Sequence, residues 1–282
     1  KKHKMHLINI SQDVEFLEDT FMHKGVNDPG AVCKTDFGIA WVNEFGAYLY
    51  DGKSVRNLLE KNGRQVINDW PSFAGGKPMI GYIPKKRQLI VTMSAGTGSA
   101  GDIYLFDMVT QSWVYGNTKV TDSAKQTNFT TDWNGDLIYS EATGNIKVWN
   151  DTPGATTSTF VFKTKDIDFG DPSRRKKIHR VRISYKGNAS AVLVYYSTNG
   201  DTDQNRQFEG VDSDGKPDGS ADTSPLLDKS GDLTVWHHAE LKPATSANAN
   251  NAYSFQFEMV GSVDEDFEVN DISIIYRMKH IK

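Results

Sequence analysis

Hydrophobic and polar residues alternate in short runs along most of the chain, and residues that favour turns separate the runs. Two such runs, at residues 38–43 and 47–51, are joined by a turn that contains Gly46. Because successive side chains of a strand point to opposite faces, this period of two residues predicts strands that are buried on one side. Short strands with tight turns between them predict an all-β fold of antiparallel hairpins.

Two segments favour a helix instead. Residues 13–18 are compatible with a short helix, which Pro29 and Gly30 would prevent from extending far. Ser54 is a suitable N-cap for a helical turn over residues 55–60. The sequence therefore predicts at most two short helical segments near the start of an otherwise β chain.

An alternating strand that closes on Asp or Asn recurs in the first half of the chain. Three copies, each with an aromatic residue near its end, lie at residues 47–51, 103–107 and 146–150. Repeats of about 40 to 50 residues with four short strands each are typical of β-propeller blades, which bury their faces by stacking. We predict about three propeller-like blades over residues 36–152, and an irregular antiparallel domain is the alternative.

Three blades are fewer than the ~4 to 8 that close a propeller. The remaining blades are expected upstream of residue 1 or from neighbouring chains. The first residue is Lys1 rather than Met, which favours blades upstream. Residues 1–35 carry a weaker pattern, and we predict that they form an N-terminal extension or connector.

The second half of the chain has longer alternating runs, at residues 177–185 and 252–260. Their apolar residues would face a core while Arg and Glu face water. These residues are Ile178, Val181, Ile183 and Tyr185 in the first run, and Tyr253, Phe255, Phe257 and Met259 in the second. We predict a jelly-roll-like β-sandwich over residues 159–282, with the domain boundary in the small-residue stretch 151–158.

Charge and cysteine content narrow the classes of function. The net charge is -4 and the pI is about 6.0, so no global field attracts nucleic acid. The densest basic run, at residues 174–177, is flanked by acidic residues, which favours a solvated turn or a salt-bridge surface between subunits. Cys33 is the single cysteine, which excludes a disulfide framework within the chain. No apolar run approaches the ~20 residues that span a bilayer, so we predict no membrane span.

The motifs that accompany catalysis are weak or incomplete. The string Gly-x-Gly-x-x-Gly at residues 96–101 is followed by a strand pattern, whereas a dinucleotide site needs a helix there. His237 and His238 are adjacent on a predicted strand, so their side chains point to opposite faces and cannot chelate one ion together. We predict that the protein is not an enzyme and has no catalytic residues or organic cofactor.

One loop carries a candidate metal site. Asp212, Asp214 and Asp218 surround Gly215 in a pattern that resembles half of a calcium-binding loop. A complete loop would need further oxygen ligands, so a surface loop without metal is the alternative. The surrounding polar stretch 209–231 has almost no apolar anchor before Leu226, and we expect a partner subunit to order it.

Three segments of the second half resemble known proteins. They read KTKDIDFGDPSRRKKI at residues 163–178, VYYSTNG at 194–200 and DFEVNDISIIYR at 266–277. In this order they resemble a module of tail and virion structural proteins of marine tailed bacteriophages, where the module follows a propeller-like stretch. The resemblance implies a structural virion component that is assembled in the host cytoplasm. It also implies that the chain forms homo-oligomers and docks onto other virion proteins.

The alternative is a carbohydrate-binding or carbohydrate-cleaving protein, including an adhesin that binds a host-surface glycan. Abundant carboxylates leave a glycosidase pair open. Several aromatic side chains could stack on sugar rings, although their strand positions favour core packing. They are Tyr48, Tyr50, Trp70, Tyr104, Trp113, Trp133 and Trp149.

Overall fold

The computed structural model of the protein describes residues 2–11, 13–61, 63–92, 101–116, 120, 129–140, 145–149, 159–201, 206–220, 234–262 and 267–280. The chain divides into two compact units, residues 1–150 and residues 151–282. Nearly all regular structure in both units is antiparallel β, which confirms the predicted all-β class. The predicted domain boundary at 151–158 lies outside the described residues.

Short strands make up the regular structure of unit 1. In its described part the strands are β1 Lys4–Asn9, β2 Phe16–Met22, β3 Val32–Thr35, β4 Gly38–Asn43, β5 Gly46–Tyr50, β6 Val55–Asn57, β7 Glu60–Lys61, β8 Arg64–Gln65, β9 Met79–Ile83, β10 Gln88–Thr92, β11 Ile103–Asp107, β12 Ser112–Gly116, β13 Thr130–Thr131, β14 Leu137–Ser140 and β15 Ile146–Val148. A 3-10 helix at Pro29–Ala31 and helix α1 at Trp70–Ala74 interrupt them.

Each sheet of unit 1 pairs strands that follow one another in the sequence. The larger sheets are the four-stranded β3-β4-β5-β6, the four-stranded β9-β10-β11-β12 and the three-stranded β13-β14-β15. The pairs β1-β2 and β7-β8 form separate hairpins. Three consecutive meanders of this kind match the three predicted blades in number, while the stacking of blades into a ring stays a prediction.

Neither predicted helical segment forms a helix and both contain strand residues, so these two predictions are wrong. Residues 16–18 belong to β2, which pairs with β1. Residues 55–57 form β6, which pairs with β5. The carboxylate of Asp51 accepts hydrogen bonds from the amides of Lys53 and Ser54, so Ser54 closes a hairpin turn and caps no helix. The β-branched Val55 and the neighbouring strand then favour the extended chain.

The segment before residue 36 is more regular than the predicted connector. Strand β3 pairs with β4 from Val32 to Thr35, so the first large sheet begins four residues earlier than the predicted domain start. The indole of Trp41 donates a hydrogen bond to the carbonyl of Lys24 at 3.0 Å, which ties the preceding loop to this sheet. The predicted division at residue 35 therefore falls inside the sheet.

The main core of unit 1 lies between its first two large sheets, with helix α1. Trp70 at the start of α1 is fully buried, and its indole donates to the carbonyl of Asn43 at 2.9 Å. Its ring packs against Phe73, Tyr104 and Trp113 at centroid distances of 5.5–6.0 Å. The third sheet joins a smaller cluster through the buried Leu137.

Unit 2 has longer strands. In its described part they are β16 Thr159–Lys163, β17 Lys176–Lys186, β18 Val192–Thr198, β19 Arg206–Gln207, β20 His237–Leu241, β21 Asn250–Ala252, β22 Phe255–Ser262 and β23 Glu268–Met278. One sheet has the order β16-β22-β18-β19. In the other, β17 pairs with β20 and β21 along one side and with β23 along the other.

A single core lies between these two sheets. From β17 it takes the predicted Ile178, Val181, Ile183 and Tyr185, and from β22 it takes Phe255, Phe257 and Met259. An irregularity in the pairing at His179 explains why Ile178 and Val181 share a face despite their odd spacing. Tyr253 precedes β22 and is 40% exposed, so its predicted core position is wrong. Two sheets around one core agree with a sandwich, while the jelly-roll order stays a prediction.

Candidate functional site

The predicted calcium loop is a tight turn with its own internal hydrogen bonds. The carboxylate of Asp212 accepts hydrogen bonds from the amides of Asp214 and Lys216 at 2.9 and 2.8 Å. The carboxylate of Asp218 accepts from the amide and hydroxyl of Ser220. Across the residues that the structure describes, no three His, Cys, Asp or Glu side chains form a group that could hold a metal ion. The structure thus does not bring the carboxylates of Asp212, Asp214 and Asp218 together, and calcium binding stays a prediction.

Gly215 explains the tight geometry of this turn. Its backbone has a φ of +78°, and a Cβ there would lie 2.1 Å from the carbonyl oxygen of His238 on β20. The amide of Glu240 donates to the carbonyl of Gly215 at 2.8 Å, so the turn packs closely against β20. The part of the predicted 209–231 loop up to residue 220 is thereby attached to its own unit, and residues 221–231 lie outside the described residues.

Three side chains of the basic run at 174–177 donate hydrogen bonds to other groups of unit 2, so the prediction of a solvated turn is wrong. Lys176 is fully buried, and its ammonium donates to the carbonyls of Asp171 and Tyr253. Arg175 donates to the hydroxyl of Tyr253 at 3.0 Å, and Arg174 donates to the carbonyl of Lys279 at 3.1 Å. Lys176 has the same strand parity as the buried Ile178, which is the signal that identifies it as an inward residue.

The first and third segments of the virion-protein resemblance lie next to each other in the fold. Asp168 accepts a hydrogen bond from the amide of Gly170 in a turn that leads into β17. In this turn Phe169 has a φ of +57°, and its ring lies 4.2 Å from the ring of Tyr276 on β23. The alternating acidic residues of this segment thus shape a turn that packs on β23.

Unit 2 has an open apolar cleft of about 650 Å³ between its two sheets. Its lining is mainly apolar and comes from β16, β22, β23 and Phe267. The lining residues are Phe160, Phe162, Met259, Phe267, Val269, Asn270, Asp271 and Ile272. Among the described strands, β16 pairs with β22 alone and β23 pairs with β17 alone, so the cleft opens between two sheet edges.

Unit 1 contains a second cleft, of about 720 Å³, between β5–β6 and β11–β12. The buried Leu49, Tyr104 and Phe106 contribute to its apolar floor, and Trp113 is half-buried in its wall. Polar and charged side chains complete the lining, among them Arg56, Asn57, Glu60, Lys61, Asn68, Asp69 and Gln111. An apolar floor surrounded by polar groups is compatible with a small-ligand site.

Two tyrosines of this cleft are held by carboxylates. The hydroxyl of Tyr104 donates to Asp69 at 3.4 Å, and the hydroxyl of Tyr115 donates to Asp102 at 2.5 Å. Desolvation and the nearby carboxylates raise the pKa of each tyrosine to about 12. Both hydroxyls therefore stay protonated at neutral pH and keep the positions that these hydrogen bonds give them.

The aromatic residues proposed for sugar stacking have different environments. Tyr48 on β5 and Trp70 on α1 are both buried in the core of unit 1, so the expected core packing holds for both, although Trp70 is not on a strand. Tyr115, which the sequence did not single out, is half-exposed in the cleft, and its alternation with Trp113 on β12 is the available signal. Trp133 is 93% exposed at a hairpin turn and does not line the cleft. The aromatic contribution to the cleft is therefore Tyr104, Phe106, Trp113 and Tyr115.

Comparisons with known proteins do not assign the chain to a family. No family model matches the sequence, and no curated protein matches it. Among the described residues, no helix has the length and apolar character needed to cross a membrane.

Proposed function

We propose that the protein is a structural subunit of a bacteriophage virion, and specifically of its tail, and that it acts by assembly with copies of itself and other virion proteins. The carrying observation is the open apolar cleft of unit 2 between the edges of β16 and β23. Two of the three segments that resemble virion proteins, 163–178 and 266–277, meet beside β17. The remaining segment, 194–200, contributes to β18.

The side chains around this cleft support an assembly role. Phe162 on β16 is 43% exposed and Val269 on β23 is 36% exposed, although both are large and apolar. Burying apolar surface stabilises by about 25 cal/mol per Å². Unpaired edge strands also present free amides and carbonyls to a partner. A subunit contact here would bury the apolar side chains and give hydrogen-bond partners to the backbone amides and carbonyls of the edge strands.

Sedimentation of the full chain over a range of micromolar concentrations tests the proposal. We expect oligomers that grow with concentration, and Phe162→Lys should weaken them because it places a charge in the apolar contact. Val114→Lys, at an exposed position of unit 1, is the matched control and should leave them unchanged. A wild-type chain that stays monomeric throughout and binds no virion component would refute assembly as the function.

The cleft of unit 1 supports a second candidate function, the binding of a carbohydrate. Trp113 and Tyr115 offer aromatic surface, and Asn57, Asn68 and Asp69 offer groups that hydrogen-bond to sugar hydroxyls. A glycan array followed by titration calorimetry tests this candidate. Tyr115→Ala should abolish binding, while Trp133→Ala, outside the cleft, should not. An array with no bound glycan, and no release of reducing sugar, would exclude the candidate.

A further inference from the structure

Strand β23 is a long edge with one free side. Its eleven residues pair with β17 along one side, and no described strand pairs with the other. At ~3.3 Å per residue such an edge is about 36 Å long. Natural proteins usually shorten, cover or interrupt edges of this length, because the free amides and carbonyls pair readily with another strand. The segment contains no proline, and most of its side chains are exposed.

The charges along β23 change sign from one end to the other. Glu268 and Asp271 lie in its first half, whereas Arg277 lies near its end and Lys279 follows it. Asp271 and Arg277 are on the outward face, because their partners on β17 are Ser184 and Lys177. An antiparallel copy of the same strand would bring each acidic end against a basic end, and a parallel copy would bring like charges together.

We propose that β23 pairs in antiparallel fashion with β23 of a second copy of this chain, around a two-fold axis near Ile274. Asp271 and Arg277 lie three residues on either side of Ile274. With Ile274 opposite its counterpart, Asp271 of each chain therefore lies opposite Arg277 of the other. The pairing joins the two β17-containing sheets into one continuous sheet. It rests on the proposed assembly function and identifies one of its contact surfaces.

The basic end of β23 is unbalanced in a single chain. Within the described part of the protein, Arg277 has no carboxylate in ion-pair contact, and it lies across from Lys177. Desolvation and the positive charges of Lys177, Arg277 and Arg180 lower the pKa of the nearby His179. Arg180 and Arg182 differ from Arg277 because both form ion pairs with Glu240. A carboxylate from a second copy would relieve this local repulsion.

Strand β16, the other edge that flanks the cleft, is a poorer partner for β23. It has five residues, and its single charged residue, Lys163, already pairs with Glu258 at 2.9 Å. It therefore offers neither the length nor the acidic residue that would match Arg277. Two-fold pairing of β23 is also self-limiting, because an isologous contact closes on two copies.

Charge reversal in the full chain tests the pairing. Asp271→Arg and Arg277→Asp should each weaken dimerisation roughly tenfold, because two opposite-charge pairs per dimer become like-charge pairs. The double variant, with both changes, should restore it. Asp13→Arg, which makes the same change of charge at an exposed position of unit 1, is the control and should not alter dimerisation. Circular dichroism confirms that each variant is folded, and Asp271→Asn and Arg277→Gln replace any that is not.

Disulfide trapping tests which residues of the two β23 strands lie opposite each other. In the proposed pairing Ser273 lies opposite Ile275 of the second copy, at the 4.5–5.5 Å Cα separation of facing residues that a disulfide tolerates. A mixture of Ser273→Cys and Ile275→Cys chains should cross-link on mild oxidation far more than either chain alone. Cys33→Ser in the background removes the native thiol.

The outcomes separate this inference from the proposed function. Single reversals that leave dimerisation unchanged, or a double variant no tighter than the singles, would overturn the β23 pairing. If Phe162→Lys still dissociates oligomers in that case, assembly stands and uses another surface. A chain that is monomeric at all concentrations and binds no virion component would remove both.

Discussion

The two units differ in how far apart in the sequence their paired strands lie. In unit 1 each large sheet is a meander of consecutive strands, such as β9 to β12. In unit 2, β16 pairs with β22 and β17 pairs with β23, although most of the unit lies between the partners. Distant pairing requires more loop closure before contacts form, so it is slower to establish. Unit 1 is organised locally, whereas unit 2 depends on distant segments meeting.

This difference also determines where the free edges are. In each large sheet of unit 1, the edge strands are the first and last strands of a meander, and each pairs with the next or preceding strand in the chain. In unit 2 the two sheet edges that flank the apolar cleft are its first and last described strands, β16 and β23. Distant pairing thus places chain-terminal strands of the unit at the surface that we propose for assembly.

The largest expected effect tests whether unit 1 depends on one aromatic cluster. Trp70→Ala removes a fully buried indole and its hydrogen bond, and should lower the free energy of unfolding by about 3–5 kcal/mol. Hydrogen exchange should increase in β9–β12 and stay unchanged in β17. Trp133→Ala, at an exposed position, should change stability by less than ~0.5 kcal/mol. Equal exchange increases in both units would contradict the separation of the two units.

The corresponding test in unit 2 concerns its buried ammonium. Lys176→Met leaves the carbonyls of Asp171 and Tyr253 without their donor and should cost about 2–4 kcal/mol. Lys177→Met, at a half-buried position beside it, should cost less than about 1 kcal/mol. Chemical denaturation with hydrogen exchange measures both, and faster exchange should be confined to unit 2. A Lys176→Met chain as stable as wild type would show that the ammonium contributes nothing net.

Substitution of two glycines in the 210–220 turn distinguishes the cost of backbone strain from the cost of a steric clash. Gly215→Ala should cost about 2–3 kcal/mol, because the added Cβ would lie 2.1 Å from the carbonyl of His238. Gly219→Ala has a similar positive φ but nothing within 4 Å, so it should cost only about 1 kcal/mol. Thermal melts with and without calcium measure both. Stabilisation of wild type by calcium, lost in Asp212→Asn, would support the predicted calcium loop.

The smallest expected effect concerns the pH response of unit 2. Burial and three neighbouring cations lower the pKa of His179 below its usual value of 6.5. The unfolded chain therefore takes up this proton first as the pH falls, so stability decreases as the pH drops through 6.5 toward the lowered pKa. Arg277→Gln should raise the pKa of His179 without restoring it fully, since burial persists. NMR titration of the imidazole measures this, and an unmoved pKa would contradict the proximity of Arg277.

The alternating pattern predicted the all-β class because period two reflects which side chains face a core. Residues 55–57 of the predicted helix instead form a strand. The amide of Ser54 donates to the carboxylate of Asp51 in a hairpin turn, and the residues that follow pair with β5. The pattern also missed helix α1, whose signal is Pro71 beside Asp69 at the start of a short apolar run. Local sequence predicts strands well, but it does not predict which neighbour stabilises a short segment.

The candidate surfaces were harder to predict than the strands. The reversal of charge from Glu268 to Lys279 is visible in the sequence, yet it matters only if β23 is an edge. Pairing with β17 decides this, and that partner lies far away in the chain. The cleft of unit 1 likewise requires two separate meanders to meet, which no local pattern specifies. The turns at Asp212 and Asp218 could be predicted more easily. Each carboxylate accepts a hydrogen bond from an amide only two to four residues away, so the local sequence is enough.

The position of β23 in the chain has a consequence for the timing of synthesis. A ribosome releases β17 long before β23, so the growing chain holds an incomplete sheet until the last strand of the unit emerges. The edge proposed to receive a second copy does not exist before β23 docks on β17. The β23 pairing that we propose would therefore be open to a chain only after unit 2 is complete, and until then the side of β17 that receives β23 is unpaired.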